Sequence, residues 1–194
     1  IKKIIEESYL SSRTLSEATF KLVNILFSNY GLIILDPNSK TLKEIMIPFF
    51  KNELFDQCCN KHVSIQIDKL GKDYDINYKS QVNPREINLF YLKKGERKRI
   101  IKTKDGFKLS NSSKEFTFIS MEKELFKHPQ RFSPNVLMRP LFQEIILPNV
   151  SYIGGSAEIS YWLELKTFFE YHKTPFPILL VRDSCLLVSS QISK

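Results

Sequence analysis

Residues 131–162 read RFSPNVLMRPLFQEIILPNVSYIGGSAEISYW, and this stretch decides the fold. Asn135, Arg139 and Gln143 stand at i, i+4 and i+8, so a helix over them presents all three on one face. Ser133-Pro134 supplies a cap followed by proline at a first helical position, and Pro140 either kinks that helix or ends it. The apolar run Val150–Ile153 then enters Gly154-Gly155 and an amphipathic helix expected over Ala157–His172. Strand, glycine pair and helix in this order build small-molecule sites in α/β proteins. Glycine lets backbone approach a ligand, and the first N–H groups of the helix have no internal partners. Pro177–Val181 is a second apolar strand ending at Arg182-Asp183, which completes a parallel strand–helix–strand unit.

Toward the N-terminus the same alternation is expected. Thr14 and Glu17 form a capping-box pattern, Leu15, Ala18, Leu22, Val23 and Leu26 follow at helical spacing, and Gly31 suits a C-terminal cap. Leu32–Leu35 is a continuous apolar run bounded by Gly31 and Asp36-Pro37, the pattern of a buried parallel strand. Thr41 and Glu44 repeat the capping box. Pro48 must kink or restart the helix they open, and the apolar stripe Phe50, Leu54, Phe55, Cys58 carries it into the mid-60s.

Between Asn77 and Ile119 the pattern changes. Glu86–Leu92, Lys98–Lys102, Phe107–Ser110 and Glu115–Phe118 are short and strand-like, with turn signals at Lys94-Gly95 and Asp105-Gly106. The segment predicts an antiparallel β meander inserted between two αβ-type regions, with a short helix starting at Ser120, Glu122 and Glu124 beyond it. It also holds the charge. Lys93, Lys94, Arg97, Lys98, Arg99, Lys102, Lys104 and Lys108 stand against Glu96 and Asp105, a net +6 of the chain's +8. Two readings are open: a solvated hairpin whose lysines discourage edge pairing, or an RNA- or polyanion-binding hairpin over 91–110. Tyr91 and Phe107 bracket the basic run without interleaving it, which argues against a base-stacking platform.

The spelling of several segments is familiar. SPN-hydrophobics-RP…Q…LP…YIGGSAE resembles a block of the bacillithiol biosynthesis cysteine-adding enzymes. SEATFKLVNILFSNYGLIILDPNSKTLKEIMIPFF, QVNPREINLFYL and PILLVRDS are similar to further family segments in the same order. Ser156 and Val181 stand where the family usually has proline. The resemblance implies a Rossmann-like parallel core, with 1–76 and 120–194 contributing to it and 77–119 inserted as a connecting element. It implies a ligase joining cysteine to glucosaminyl-malate through an amide bond. For the cofactor it admits a nucleotide, ATP or ADP, by likeness alone. It further implies small-molecule substrates, no membrane, and dimerisation through a helical region outside this sequence. The chain starts at Ile1 and lacks the family's N-terminal glycine-rich segment, so an internal piece that is inactive by itself is expected. A structural piece of a larger synthetase-like enzyme, without a site of its own, is the remaining alternative.

Candidate ligand contacts fall where open α/β sheets place them, beyond the carboxyl ends of the strands. Asp36 follows the first apolar run, and either faces a ligand or makes a local turn before Pro37. Gly154 and Gly155 either admit a ligand or allow close helix packing. Glu158 complements the helix dipole or reaches a substrate hydroxyl or ammonium. Tyr152 and Tyr161 flank the turn as core or as contacts, and Arg139 and Arg182 offer planar forks for a carboxylate or phosphate. Asn135 and Gln143 complete the row; no catalytic residue is singled out.

Other chemistries find little support. Cys58 and His62 stand at i, i+4, but two ligands fall short of the three or four zinc takes, and His128 and His172 are isolated, so no metal is expected. Ser184 lacks the glycines of a nucleophile elbow. Three cysteines without a CxxC or a regular framework suit a reducing cytoplasm. With 194 residues, 42% of them hydrophobic, the chain can bury one substantial core, and no run approaches the ~18 apolar residues of a membrane span.

Overall fold

A computed structural model describes residues 1–73, 78–93, 95–186 and 188. The chain divides into two compact units, Ile1–Ser39 and Lys40–Lys194. The first holds α1 (Lys2–Leu10) and α2 (Leu15–Phe27), which pack on each other. The Thr14 hydroxyl accepts the Glu17 N–H at 3.2 Å and starts α2; Gly31, at φ 76°, ends the 3-10 turn that follows it. Leu32–Leu35 forms no strand. Leu32, Ile33 and Leu35 are exposed, so an apolar run bounded by turn residues lacked the ladder partner a strand requires.

The second unit opens with α3 (Lys40–Ile45), α4 (Ile47–Asp56) and α5 (Cys58–Asp73). Thr41 lies inside α3 rather than capping it, and Pro48 restarts the helix as α4, as its missing N–H demands. The expected single helix into the mid-60s is broken at Gln57, which takes a left-handed conformation at φ 51°. Its carbonyl nevertheless starts α5, accepting the Lys61 N–H at 3.2 Å.

The antiparallel sheet runs in the order β4-β3-β2-β1-β5, with β1 (Leu89–Lys93), β2 (Glu96–Thr103), β3 (Gly106–Leu109), β4 (Glu115–Thr117) and β5 (Phe132–Pro134). Gly106 cannot be replaced: an added Cβ would lie within 2.0 Å of the Phe116 carbonyl oxygen. Lys94 of the expected Lys94-Gly95 turn, Asn77 and residues 74–76 lie outside the described residues. Helix α6 (Phe118–Lys127) starts earlier than expected, because Thr117 rather than Ser120 is its cap. Ser133-Pro134 begins no helix. It belongs to β5, which pairs with β1 and leaves Pro134 on an edge, where a missing N–H costs little. Helix α7 (Met138–Ile146) follows.

The only parallel pairing among the described residues joins β6 (Ser151–Gly154) to β7 (Ile178–Val181). Between them the expected single helix is two, α8 (Ser156–Leu163) and α9 (Lys166–Tyr171), interrupted at Glu164-Leu165. Glu164 is fully buried and its carboxylate accepts from Tyr78 Oη (2.7 Å), Ser80 Oγ (2.8 Å) and the Gln81 N–H (2.8 Å). The chain is thus mixed α/β with an antiparallel sheet larger than its parallel one. The core of the second unit packs Met46, which precedes α4, and Phe50 and Leu54 of α4 with Leu89, Tyr91, Phe107, Phe132, Leu141, Trp162 and Phe168.

Candidate functional site

The site gathers where β6 ends. Gly154 is tight: an added Cβ would meet Tyr152 Cε1 at 2.8 Å and Glu158 Cβ at 3.3 Å. At Gly155 the Arg182 guanidinium lies over the missing side chain, 3.5 Å from where a Cβ would stand. The Arg182 N–H also donates to the Gly154 carbonyl at 2.9 Å, continuing the β6–β7 ladder. Glycine at 154 therefore lets Tyr152 close over the turn, while at 155 a Cβ would stand at ordinary contact distance from Arg182, which follows β7.

Glu158 has taken the first amide of that turn. Its carboxylate accepts the Gly155 N–H at 3.1 Å and the Tyr152 hydroxyl at 3.3 Å. At this position the local carboxylate occupies the N-cap N–H of Gly155, so that one amide is not offered to a ligand anion. Tyr152 stacks on buried Trp162, with centroids 4.1 Å apart and planes inclined by 21°. Burial raises the Tyr152 pKa and the Glu158 charge adds to it, against the opposing pull of Arg139.

Arg139, half-buried on α7, joins this group from the facing element. Its Nη1 donates to Gln143 Oε1 at 2.9 Å and its Nη2 to the Tyr161 hydroxyl at 3.4 Å. Burial works against its charge, but the hydroxyls of Tyr161 and Tyr152 outweigh that and hold its pKa above the usual arginine value. Gln143 is anchored in turn, its Nε2 donating to buried Glu144 at 3.1 Å. Arg139, Gln143, Tyr152, Gly154, Gly155, Glu158 and Arg182 thus form a chain of contacts, with Tyr161 as the link between α7 and α8.

Two expected residues make other contacts. Asn135 precedes α7 and caps it, its Oδ1 accepting from the N–H groups of Leu137 (3.0 Å) and Met138 (3.2 Å). Its amide donates inward to Asn88 Oδ1 at 2.8 Å, so the i, i+4, i+8 row is broken at its first member. Asp36 belongs to the first unit and makes the local turn, accepting the Asn38 N–H at 2.9 Å. An open pocket of about 610 Å³ beside it is lined by Thr14, Glu17, Phe20, Lys21 and Leu35.

Sequence reasoning missed the support behind these groups. Buried Glu144 holds Gln143 and ties down Asn149, whose N–H and Nδ2 both donate to it at 2.9 Å. Nothing in the spelling of residues 144–149 announces this. The buried Glu53–Asn88 pair behind Asn135 was equally hidden, since its members stand 35 positions apart.

The basic segment shows local engagements. Arg97 lies over the Phe90 ring at 3.8 Å and donates to the Pro134 carbonyl at 3.0 Å, Lys98 pairs with Glu96 at 2.9 Å, and Lys102 reaches the Phe55 carbonyl at 3.4 Å. Among the described residues no group of three or more His, Cys, Asp or Glu side chains could hold a metal ion. Cys58 Sγ lies 3.6 Å from His172 Nε2, and burial followed by the Glu53 charge pushes the thiol far above its usual range. No described helix is long and apolar enough to cross a membrane.

A cluster of two arginines, two tyrosines and a glutamate at the carboxyl end of a parallel strand pair defines the class. Residues 1–183 match the family model described as "Bacillithiol biosynthesis BshC, N-terminal Rossmann-like domain". The chain belongs to this family. It is 49% identical over 194 residues to a protein of Flavobacterium psychrophilum named "Putative cysteine ligase BshC", covering all of this chain and 36% of that protein. Proteins of the same name from Flavobacterium johnsoniae and Christiangramia forsetii are 48% and 43% identical, covering 100% and 96% of this chain and 36% and 34% of theirs. The chain therefore spans about a third of the length of the curated relatives it matches.

Proposed function

We propose that this chain is part of a cytoplasmic ligase that adds cysteine to the amino sugar of glucosaminyl-malate in bacillithiol biosynthesis, and that β6 and β7 belong to its Rossmann-like parallel core. The antiparallel region over 77–119 is then a connecting element inserted into that core. The observation that carries the reading is the convergence of Arg139, Tyr152, Tyr161, Glu158 and Arg182 on the Gly154-Gly155 turn. The malyl group carries two carboxylates. A half-buried guanidinium fixed by Gln143 and Tyr161 is pre-oriented for one of them, and Arg182 over Gly155 is within the same turn for the other. The hydroxyls of Tyr152 and Tyr161 suit the sugar, and Glu158 can accept from an ammonium or hydroxyl. Asn135 acts by setting the start of α7.

The reaction joins the carboxyl carbon of cysteine to the sugar's amine nitrogen and releases the carboxyl oxygen, which must leave on an activating group. A nucleotide would supply that activation by likeness to the family. The α8 start does not suit its phosphates, because Glu158 already fills the Gly155 N–H with negative charge. These residues bind and orient the acceptor. The decisive experiment supplies the full-length protein with cysteine and glucosaminyl-malate, with and without ATP, and looks for the coupled thiol by mass spectrometry. Accumulation supports the reading, and no product under any of these conditions rejects it.

A polyanion-binding role for the basic hairpin is the second reading, and the local engagements of Arg97, Lys98 and Lys102 weigh against it.

A further inference from the structure

A buried polar chain leads to the start of α7, and ligand contact does not explain it. Glu53, on α4, is fully buried. One oxygen accepts the backbone N–H of Asn88 at 2.7 Å and its side-chain Nδ2 at 2.9 Å; the other accepts the Cys59 N–H at 2.9 Å and faces the Cys58 thiol at 3.5 Å. All of these donors are neutral. Asn88 passes the connection on: its Oδ1 accepts from Asn135 Nδ2 at 2.8 Å, and its carbonyl accepts the Asn135 N–H at 3.0 Å. Asn135 then caps α7 through Leu137 and Met138, and its carbonyl accepts the Arg139 N–H at 2.9 Å.

A buried carboxylate is costly, and desolvation raises the Glu53 pKa even with these donors in place. An apolar residue there would leave the buried N–H groups of Asn88 and Cys59 without acceptors, so the carboxylate ties these two segments together and fixes their geometry. What it specifies is the first turn of α7, whose second residue is Arg139. Arg97 adds a brace from outside, donating to the Pro134 carbonyl immediately before Asn135.

We infer that Glu53, through Asn88 and Asn135, is a positioning residue that fixes the Arg139 guanidinium for a carboxylate of the acceptor substrate. The inference rests on the acceptor-binding reading above. Glu53→Gln tests the chain at its root, because the amide nitrogen turns one acceptor into a donor facing either Cys59 or Asn88. Asn135→Asp tests it at the other end: the cap oxygen remains for Leu137 and Met138, while the donor to Asn88 is lost.

Both variants are made in the full-length protein, alone and combined with Arg139→Ala, and KM and kcat are measured with glucosaminyl-malate. Each single variant is expected to raise KM roughly tenfold with kcat within about twofold. In the Arg139→Ala background neither should raise KM further, because the group being positioned is gone. A purely structural Glu53 would give effects that multiply, and that result overturns the inference alone. Should Arg139→Ala itself leave KM unchanged, the acceptor-binding reading fails and the inference falls with it. If Glu53→Gln does not fold, Asn135→Asp decides by the same comparison.

Discussion

Replacing Arg139 by lysine separates binding from stability. The guanidinium spans two partners, Gln143 Oε1 at 2.9 Å and the Tyr161 hydroxyl at 3.4 Å, from a half-buried position. Lysine keeps the charge but cannot make two parallel hydrogen bonds, so a bound carboxylate loses one charge-assisted contact. That contact is worth about 1.5–3 kcal/mol, which corresponds to a KM for glucosaminyl-malate raised roughly ten- to a hundredfold. The internal cost is smaller. Losing one bond to a neutral partner at a site open to water costs about 1 kcal/mol and a few degrees of melting temperature. The assay is steady-state kinetics with varied glucosaminyl-malate beside calorimetry on the same full-length preparations. A large fall in melting temperature with an unchanged KM would show that Arg139 serves α7 and α8 rather than the ligand, and would remove it from the site.

Gly154→Ala should destabilise the fold by the cost of overpacking, about 1–3 kcal/mol, and so lower the melting temperature, because the new methyl would stand 2.8 Å from Tyr152 Cε1; a thermal melt that matches the parent would refute the crowding. His172 has its pKa pushed down to about 4 by burial and then by the neighbouring His62 charge. Between pH 6.5 and about 4 the unfolded chain therefore binds the proton more readily, so stability is full above that window and falls as the pH drops through it. Discounted for its partial exposure the loss is on the order of 1–2 kcal/mol, and urea unfolding of His172→Gln should lack it; an identical pH profile in the variant would refute the assignment. Arg99→Ser, Lys104→Ser and Lys108→Ser together should leave cysteine addition unchanged in the full-length protein, because exposed charges are screened within about 8 Å at physiological salt. A collapse of activity in a folded protein would tie the hairpin to substrate or partner binding. The 194-residue chain alone should show no turnover, since it spans about a third of its relatives and catalysis needs all reacting groups held in register; measurable product from it would overturn that expectation.

The sequence by itself determined what depends on neighbours along the chain. Thr14 caps α2, Pro48 restarts a helix, the short strands of the basic segment pair antiparallel, and Val150–Ile153 and Pro177–Val181 supply the parallel pair. Each follows from a local rule of side-chain capping, missing N–H or alternating burial. It also singled out Arg139, Gln143, Tyr152, Glu158 and Arg182, which the fold links by contacts among α7, β6, α8 and the end of β7. Tertiary structure decided what needed a distant partner. Leu32–Leu35 has the composition of a strand but found no ladder, and Phe132–Pro134 has a helix-start spelling but pairs with Leu89–Tyr91. Asn135 was drawn out of its helical row because Asn88, 47 positions away, offers its amide a buried acceptor. Glu158 illustrates the boundary: its place in the first turn was legible, yet only the folded turn shows that its carboxylate takes the Gly155 N–H for itself. Hydrogen-bond partners far apart in sequence leave no periodicity to read, because a buried acceptor is satisfied by whichever donor the packing delivers.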